Sequence, residues 1–403
     1  MTSRNHRTLP GLEATEPERP AAALSIDLME EIFLRVASPA DLARASTACV
    51  SFRRIISDPS FLRRYRSIHP PLLLGLIGVA GFTPADPPHP SAALSRAVAR
   101  AADISFDFLP RSRTANWRHS HPWYPCDVRD GRVLVKCIRE EPVVYLDLAV
   151  CDPLSRRYLL LPPLAEDLVL ASVGLQKPSV VHSGVSFIPS GGVEETSFRV
   201  ISWKYSKTRL AVFVFTSSSG SCSVGTSTTR DDLGLDHEFV RLYSVQCVYG
   251  HCYWRLCGTS KLIKLDMNSM EFSTVDLPPD HEKRNVIIVE SWGSNVAMFS
   301  MIDEGASVDY YTSSQNDSEK SHEWHMMISI PLPADYIIGP CFKGPAEGYI
   351  FLEGIRIDHE AGHSGLFSLE IKSFKIERVC MSPYRFFGRP YFGFPPSMSP
   401  TRI

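Results

Sequence analysis

Several groups of residues have types and spacings that could do chemistry. His359-Glu360-Ala361-Gly362-His363 satisfies H-E-x-x-H. In that pattern two histidines four apart on one helix face hold zinc, and the glutamate serves as general base. Here Asp358 precedes the segment, Gly362 sits inside it, and strand-like GYIFLEGIRI and GLFSLEI flank it. That is turn chemistry between two strands, so a hairpin connection is expected rather than a metal site. The alternative is a metal-dependent hydrolase using His359, Glu360 and His363. Cys247, Cys252 and Cys257 are five apart, with His251 between the first two. Zinc pairs prefer gaps of two to four residues, and on one strand residues five apart point to opposite faces. These cysteines are expected as small core residues. His322 and His325 flank Glu323-Trp324 at a spacing that fits no ligand rule. Gly184-Val185-Ser186 and Gly362-His363-Ser364 are only fragments of nucleophile motifs, and no phosphate-binding glycine loop occurs. Arg53, Arg54, Arg63, Arg64 and Arg66 cluster without interleaved aromatics that could stack bases, and read as a solvated helix face. The expectation is a chain that is not an enzyme and takes no metal or cofactor.

The whole-chain figures agree. Lys plus Arg is 42 and Asp plus Glu is 44, a net charge of −2, too balanced for an electrostatic attachment to nucleic acid or anionic lipid. Ten cysteines in 403 residues are too dilute for a disulfide scaffold. The start of the chain is polar, without the apolar core of an export signal. The longest apolar run, Leu72 to Phe82, spans 11 residues, and a membrane span needs about 20. A soluble cytoplasmic or nuclear protein with reduced thiols is expected. The sequon at Asn316-Asp317-Ser318 would then not be glycosylated. Prolines number 31, above the usual share of about 5%. They gather in the lead, in a joint after residue 66, and at Pro162-Pro163 and Pro278-Pro279.

Residues 1–23 read as a disordered lead and 24–66 as a small helical module. Asp27 with Glu30 fits a capping box, Ser38 precedes Pro39 and Asp41, and Asp58 precedes Pro59. Three or four short helices follow. A unit of this size buries too little surface to be comfortable alone. It also carries Leu24, Ile26, Phe33, Val50 and Phe52 off its main stripes, so another surface is expected to cover some of them.

From about Trp117 onward, short runs rich in Val, Ile, Phe and Tyr are separated by Gly, Pro, Asp and Ser. No long helical stripe interrupts them. Val144-Tyr145-Leu146-Asp147, Leu262-Ile263-Lys264-Leu265-Asp266 and Leu366-Phe367-Ser368-Leu369-Glu370 are each followed by a second short run, and Pro-Pro closes the first two. The period suits blades of about 45 residues, giving about six in residues 117–395. A pair of β-sandwiches is the alternative. Residues 67–116 form a Pro-rich joint with the first strands, and 396–403 a tail. Thr216 to Thr229 contains 10 Ser or Thr, and it and Thr312 to Glu323 are expected as blade loops.

Leu24-Ser25, Asp27, Ile32-Phe33, Asp41-Leu42 and Val50-Ser51-Phe52-Arg53 together resemble an F-box, with Ser25 where proline is usual. RRYRSIHPPLLLG and the blade-like segments resemble the joint and propeller-like domain of plant F-box proteins. That resemblance implies a substrate receptor of an SCF-type cullin–RING ubiquitin ligase. Its F-box would dock a SKP-family adaptor through Leu24, Leu28, Ile32, Leu42, Val50 and Phe52, with Arg53 at the rim. Its propeller would hold a target protein whose identity and contact residues the sequence does not reveal. The alternative within this class is a scaffold that ubiquitinates nothing.

Overall fold

A computed structural model describes residues 24–69, 71–110, 123–138, 146–176, 182–189, 197–236, 238–239, 241–243, 245–291, 296–302, 305–315, 322–339, 345–357, 364–382 and 388–393. The chain divides into two compact units, with the boundary after His69. No helix among the described residues is long and apolar enough to cross a membrane.

The first unit is four short helices: α1 (Ile26–Leu34), α2 (Pro39–Ala48), α3 (Val50–Ile56) and α4 (Pro59–Ile68). Each starts on a side-chain cap, which satisfies backbone N–H groups that have no partner inside the helix. Ser38 accepts from the Asp41 N–H, and Asp58 from Ser60 and Phe61. The cap of α1 corrects the sequence reading. Ser25, not Asp27, accepts the Leu28 N–H at 3.2 Å, and Asp27 falls inside the first turn. Cys49 caps α3 through its sulfur. Phe33, Leu34, Leu42, Ile55, Ile56, Phe61, Leu62 and Tyr65 form the core. The Tyr65 hydroxyl donates to the Val36 carbonyl at 2.8 Å, and Arg64 pairs with Glu30 at 2.6 Å and also with Glu31. Both contacts tie α4 back to α1 and the residues just after it.

The second unit is a six-bladed propeller. It opens with β1 (Leu72–Gly78), β2 (Gly81–Pro84) and the helix α5 (Ala92–Ala101). The first blade is β3 (Trp123–Arg129), β4 (Arg132–Ile138), β5 (Leu146–Asp152) and β6 (Arg157–Leu160), followed by α6 (Glu166–Ser172). The second is β7 (His182–Ile188), β8 (Arg199–Tyr205), β9 (Arg209–Thr216) and β10 (Ser221–Thr229). The third is β11 (Gln246–Val248), β12 (His251–Arg255), β13 (Lys261–Asp266) and β14 (Phe272–Asp276). The fourth is β15 (Asn285–Glu290), β16 (Val296–Met301), β17 (Ser307–Gln315) and β18 (His322–Pro331). The fifth is β19 (Tyr336–Ile338), β20 (Pro345–Ala346), β21 (Tyr349–Arg356), β22 (Ser364–Glu370) and β23 (Ile376–Ser382). The last strand, β24 (Gly388–Gly393), returns to pair with β1, so one sheet is built from both ends of the unit and closes the ring.

Strands near the middle of a blade are apolar on both sides because each blade is packed on both faces. In β16, Ala297, Phe299 and Met301 face the fifth blade, while Met298 faces the third. In β4, Val133, Val135 and Cys137 face the closing sheet, while Leu134 faces the second blade. The three segments that look alike in sequence supply the outer two strands of the first, third and fifth blades. In the first, Asp152 accepts the Leu154 N–H at 3.0 Å in the turn after β5, and Asp147 lies within β5. Two glycines are required by close approach. A Cβ on Gly75, at φ +150°, would lie 2.1 Å from the Thr83 carbonyl oxygen, and one on Gly184 would lie 2.1 Å from the Trp203 indole.

The Ser/Thr-rich segment at 216–229 is not a loop: residues 221–229 form β10 along β9. An outermost strand needs only one apolar side, and Cys222 supplies it by packing against two core clusters. Much of 312–323 likewise extends β17 and begins β18, with 316–321 outside the described residues.

Candidate functional site

The helical unit presents one apolar surface. Leu24, Leu28 and Ile32 are separated by four residues each, so Leu28 and Ile32 share one side of α1 with Leu24 just ahead of them. They are 51%, 48% and 46% exposed, and Ile26 and Val50 are more exposed still. Phe33 and Leu34, one step round the helix, face the core. Phe52 is half-buried and meets Phe33 edge to face, with ring centroids 5.0 Å apart, which anchors α3 to α1. Arg53 is exposed. Leu24, Leu28, Ile32, Val50 and Arg53 therefore stand where a partner could touch them, and Phe52 is partly available.

Leu42 corrects the expectation. It has no exposed surface and belongs to the core beneath α2. The apolar pattern marked it as important without saying which side of the helix it occupied. A surface this apolar on a unit of 46 described residues loses free energy to water of about 25 cal/mol per Å² of apolar area. The loss is recovered if a partner covers it.

The second unit offers an axis. The inner strands β3, β7, β11, β20 and β24 surround a cavity of about 70 Å³ lined by Asp127, Arg129, Ser186, Gln246, Cys247 and Arg389, among others. Asp127 accepts the Ser186 hydroxyl at 2.5 Å and the Phe187 N–H at 2.8 Å, which locks the first two blades together at the axis. A space of that size holds water or a small ion; ligand pockets for organic molecules run to about 300–1,000 Å³.

The cysteines are arranged differently from the sequence reading. Tyr249 and Gly250, both at positive φ, make a two-residue turn between β11 and β12. That turn sets Cys247 directly opposite Cys252, where the two form a cross-strand disulfide with Cα atoms 4.2 Å apart. The one-strand face rule fails here because the chain reverses between them. Cys257 is exposed. Cys137, Cys151 and Cys380 are buried thiols, and burial pushes Cys380 up to about 12, far from the thiolate a nucleophile needs. Among the described residues, no three His, Cys, Asp or Glu side chains are grouped to hold a metal ion. His359, Glu360 and His363 lie outside the described residues. They fall between β21, which ends at Arg356, and β22, which begins at Ser364 and pairs with it antiparallel.

Residues 125–334 match the family model described as F-box protein AT5G49610-like, beta-propeller. A search of curated proteins returns no match. Solved structures similar to the chain include the periplasmic gluconolactonase of Pseudomonas aeruginosa. It is 14% identical with a TM-score of 0.38, over 68% of this chain and 75% of that one. A post-proline cleaving enzyme from Rickettsia typhi is 9% identical with a TM-score of 0.37, over 66% and 47%. An exo-β-1,3-galactanase from Clostridium thermocellum is 10% identical with a TM-score of 0.34, over 66% and 63%. At these identities and scores none of them bears on what this chain does.

Proposed function

The chain belongs to the F-box proteins with an AT5G49610-like β-propeller, and from that premise we propose that it is the substrate-recognition subunit of an SCF-type cullin–RING ubiquitin ligase. The observation that carries this reading is the exposed apolar row Leu24, Leu28 and Ile32 with Val50 on the helical unit. A SKP-family adaptor would cover it with an apolar groove, the way an amphipathic helix is taken up by a complementary surface. Through the adaptor the chain would join cullin and RING subunits. The propeller would hold the target protein, and the ligase would act by raising the concentration of that target beside the ubiquitin-loaded enzyme. In this role the chain is a receptor without chemistry of its own, working in the cytoplasm, the nucleus or both.

Ile32→Asp tests the reading. A charge placed in a surface that must lose its water on docking is expected to weaken adaptor binding about 100-fold. Because Ile32 is exposed, the helix content of the unit should stay unchanged. Co-purification with a SKP-family adaptor and circular dichroism measure the two effects. Undiminished adaptor binding by the folded variant would overturn the proposal.

A further inference from the structure

The seam between the first and second blades is apolar over most of its length and then changes character. Val200 of β8 packs there against Leu134, Val150 and Val185. Residues two apart on a strand point the same way, and the register of β8 runs unbroken from Arg199 to Tyr205 against both neighbours. Ser202 and Lys204 therefore follow Val200 into the same seam. Ile201, Trp203 and Tyr205 turn away toward the third blade. On the facing strand β4, Lys136 follows Leu134 by the same two-residue step.

Ser202 and Lys204 are buried, and Lys136 is half-buried. Lys204 is 2% exposed and Ser202 6%. The Ser202 hydroxyl has no hydrogen-bond partner. Among the described residues no ion pair or hydrogen bond reaches the Lys204 ammonium. Burial, then the like charge of Lys136, push the Lys204 pKa down to about 8. Burying an ammonium without a counter-charge is costly, and a second ammonium nearby adds to the cost. Side chains that only filled the seam would continue the Val and Leu pattern beside them. What stands there is rich in donors: three N–H groups on each lysine and one O–H on the serine, whose oxygen is the one acceptor among these side chains. An oxyanion is the complement of such a set.

We propose that the polar end of this seam is an anion site, in which Lys204 and Ser202 form the floor and the half-buried Lys136 the mouth, and that it takes one small oxyanion, a phosphate or a carboxylate. The site is independent of the helical unit and of the adaptor reading, since every residue in it belongs to the propeller.

The test is thermal unfolding of the purified full chain at constant ionic strength, with chloride replaced stepwise by inorganic phosphate or by acetate. The wild-type midpoint should climb with the logarithm of anion concentration. It should gain about 2–3 °C by tenfold over the dissociation constant. Lys204→Met keeps the volume and removes the charge; it should fold at the same or a higher midpoint and lose the climb. Ser202→Ala should reduce it. A response to phosphate alone identifies a phosphate site, and to acetate alone a carboxylate site. Should Lys204→Met fail to fold, Lys136→Met at the mouth is read in the same way. No response beyond chloride, or an equal response in wild type and lysine variants, would sink the proposal.

Discussion

The two units treat their apolar side chains in opposite ways. The helical unit turns Leu24, Ile26, Leu28, Ile32, Val50 and Ile68 outward. The much larger propeller packs most of its Val, Ile, Leu and Phe into six seams between blades and leaves a minority of apolar side chains exposed, among them Met326, Met327 and Ile328 on β18. The reason is geometric. Four short helices cannot enclose both sides of each helix, whereas each blade of a closed ring has a neighbour on both faces. In the first unit the informative feature is therefore the exposed apolar surface. In the second unit the informative residue is the reverse, a polar group buried without a partner.

The largest expected effect breaks that contrast from the inside. Leu42→Asp puts a charge into the core of the helical unit, which should cost about 4 kcal/mol or more and unfold it. Loss of amide protection across residues 24–68 would show this, while Ile32→Asp keeps protection. If both variants stay folded, the division into an inner and an outer apolar side of these helices is wrong.

Next comes the buried lysine of the propeller. Its pKa falls from 10.5 to about 8 on folding. Between those values the unfolded chain holds a proton that the folded chain has released, so stability rises with pH across this window. Below pH 8 both states are protonated and the full penalty is present. In chloride buffer, wild type should gain up to about 3 kcal/mol relative to Lys204→Met between pH 8 and pH 10.5. Urea midpoints of the two proteins at each pH measure the difference, and parallel curves would argue against a buried charge at this position. The smallest effect concerns Ser25. Ser25→Ala removes the cap of α1 and should cost about 1 kcal/mol, read as a lower thermal midpoint with the fold retained. No shift would mean that α1 does not depend on this hydrogen bond.

Much of this was legible in the sequence where the deciding interaction is local. Ser38-Pro39 and Asp58-Pro59 announce helix starts within four residues. The spacing of Leu28 and Ile32 marks one helix side. The short apolar runs and their period led to a propeller of about six blades. Other features were misread because the deciding partner is remote or the chain turns back. Asp27 was as good a cap as Ser25 on residue type alone. The Ser/Thr run at 216–229 became an outer strand because β9 offered it a ladder. Cys247 and Cys252 met because of the turn at Tyr249-Gly250; a glycine between two apolar runs was the one visible hint.

By itself the sequence determined where α2 and α4 begin, which strands alternate, and that the chain has a small helical part and a large repetitive one. These depend on contacts two to four residues away. Only the tertiary structure decided that Leu42 lies inside and Ile32 outside, and that Leu73 meets Phe392 to close the ring. It alone buried Lys204. Each of those outcomes depends on a surface contributed from elsewhere in the chain, and a periodic pattern carries the spacing of a face but not the identity of what covers it.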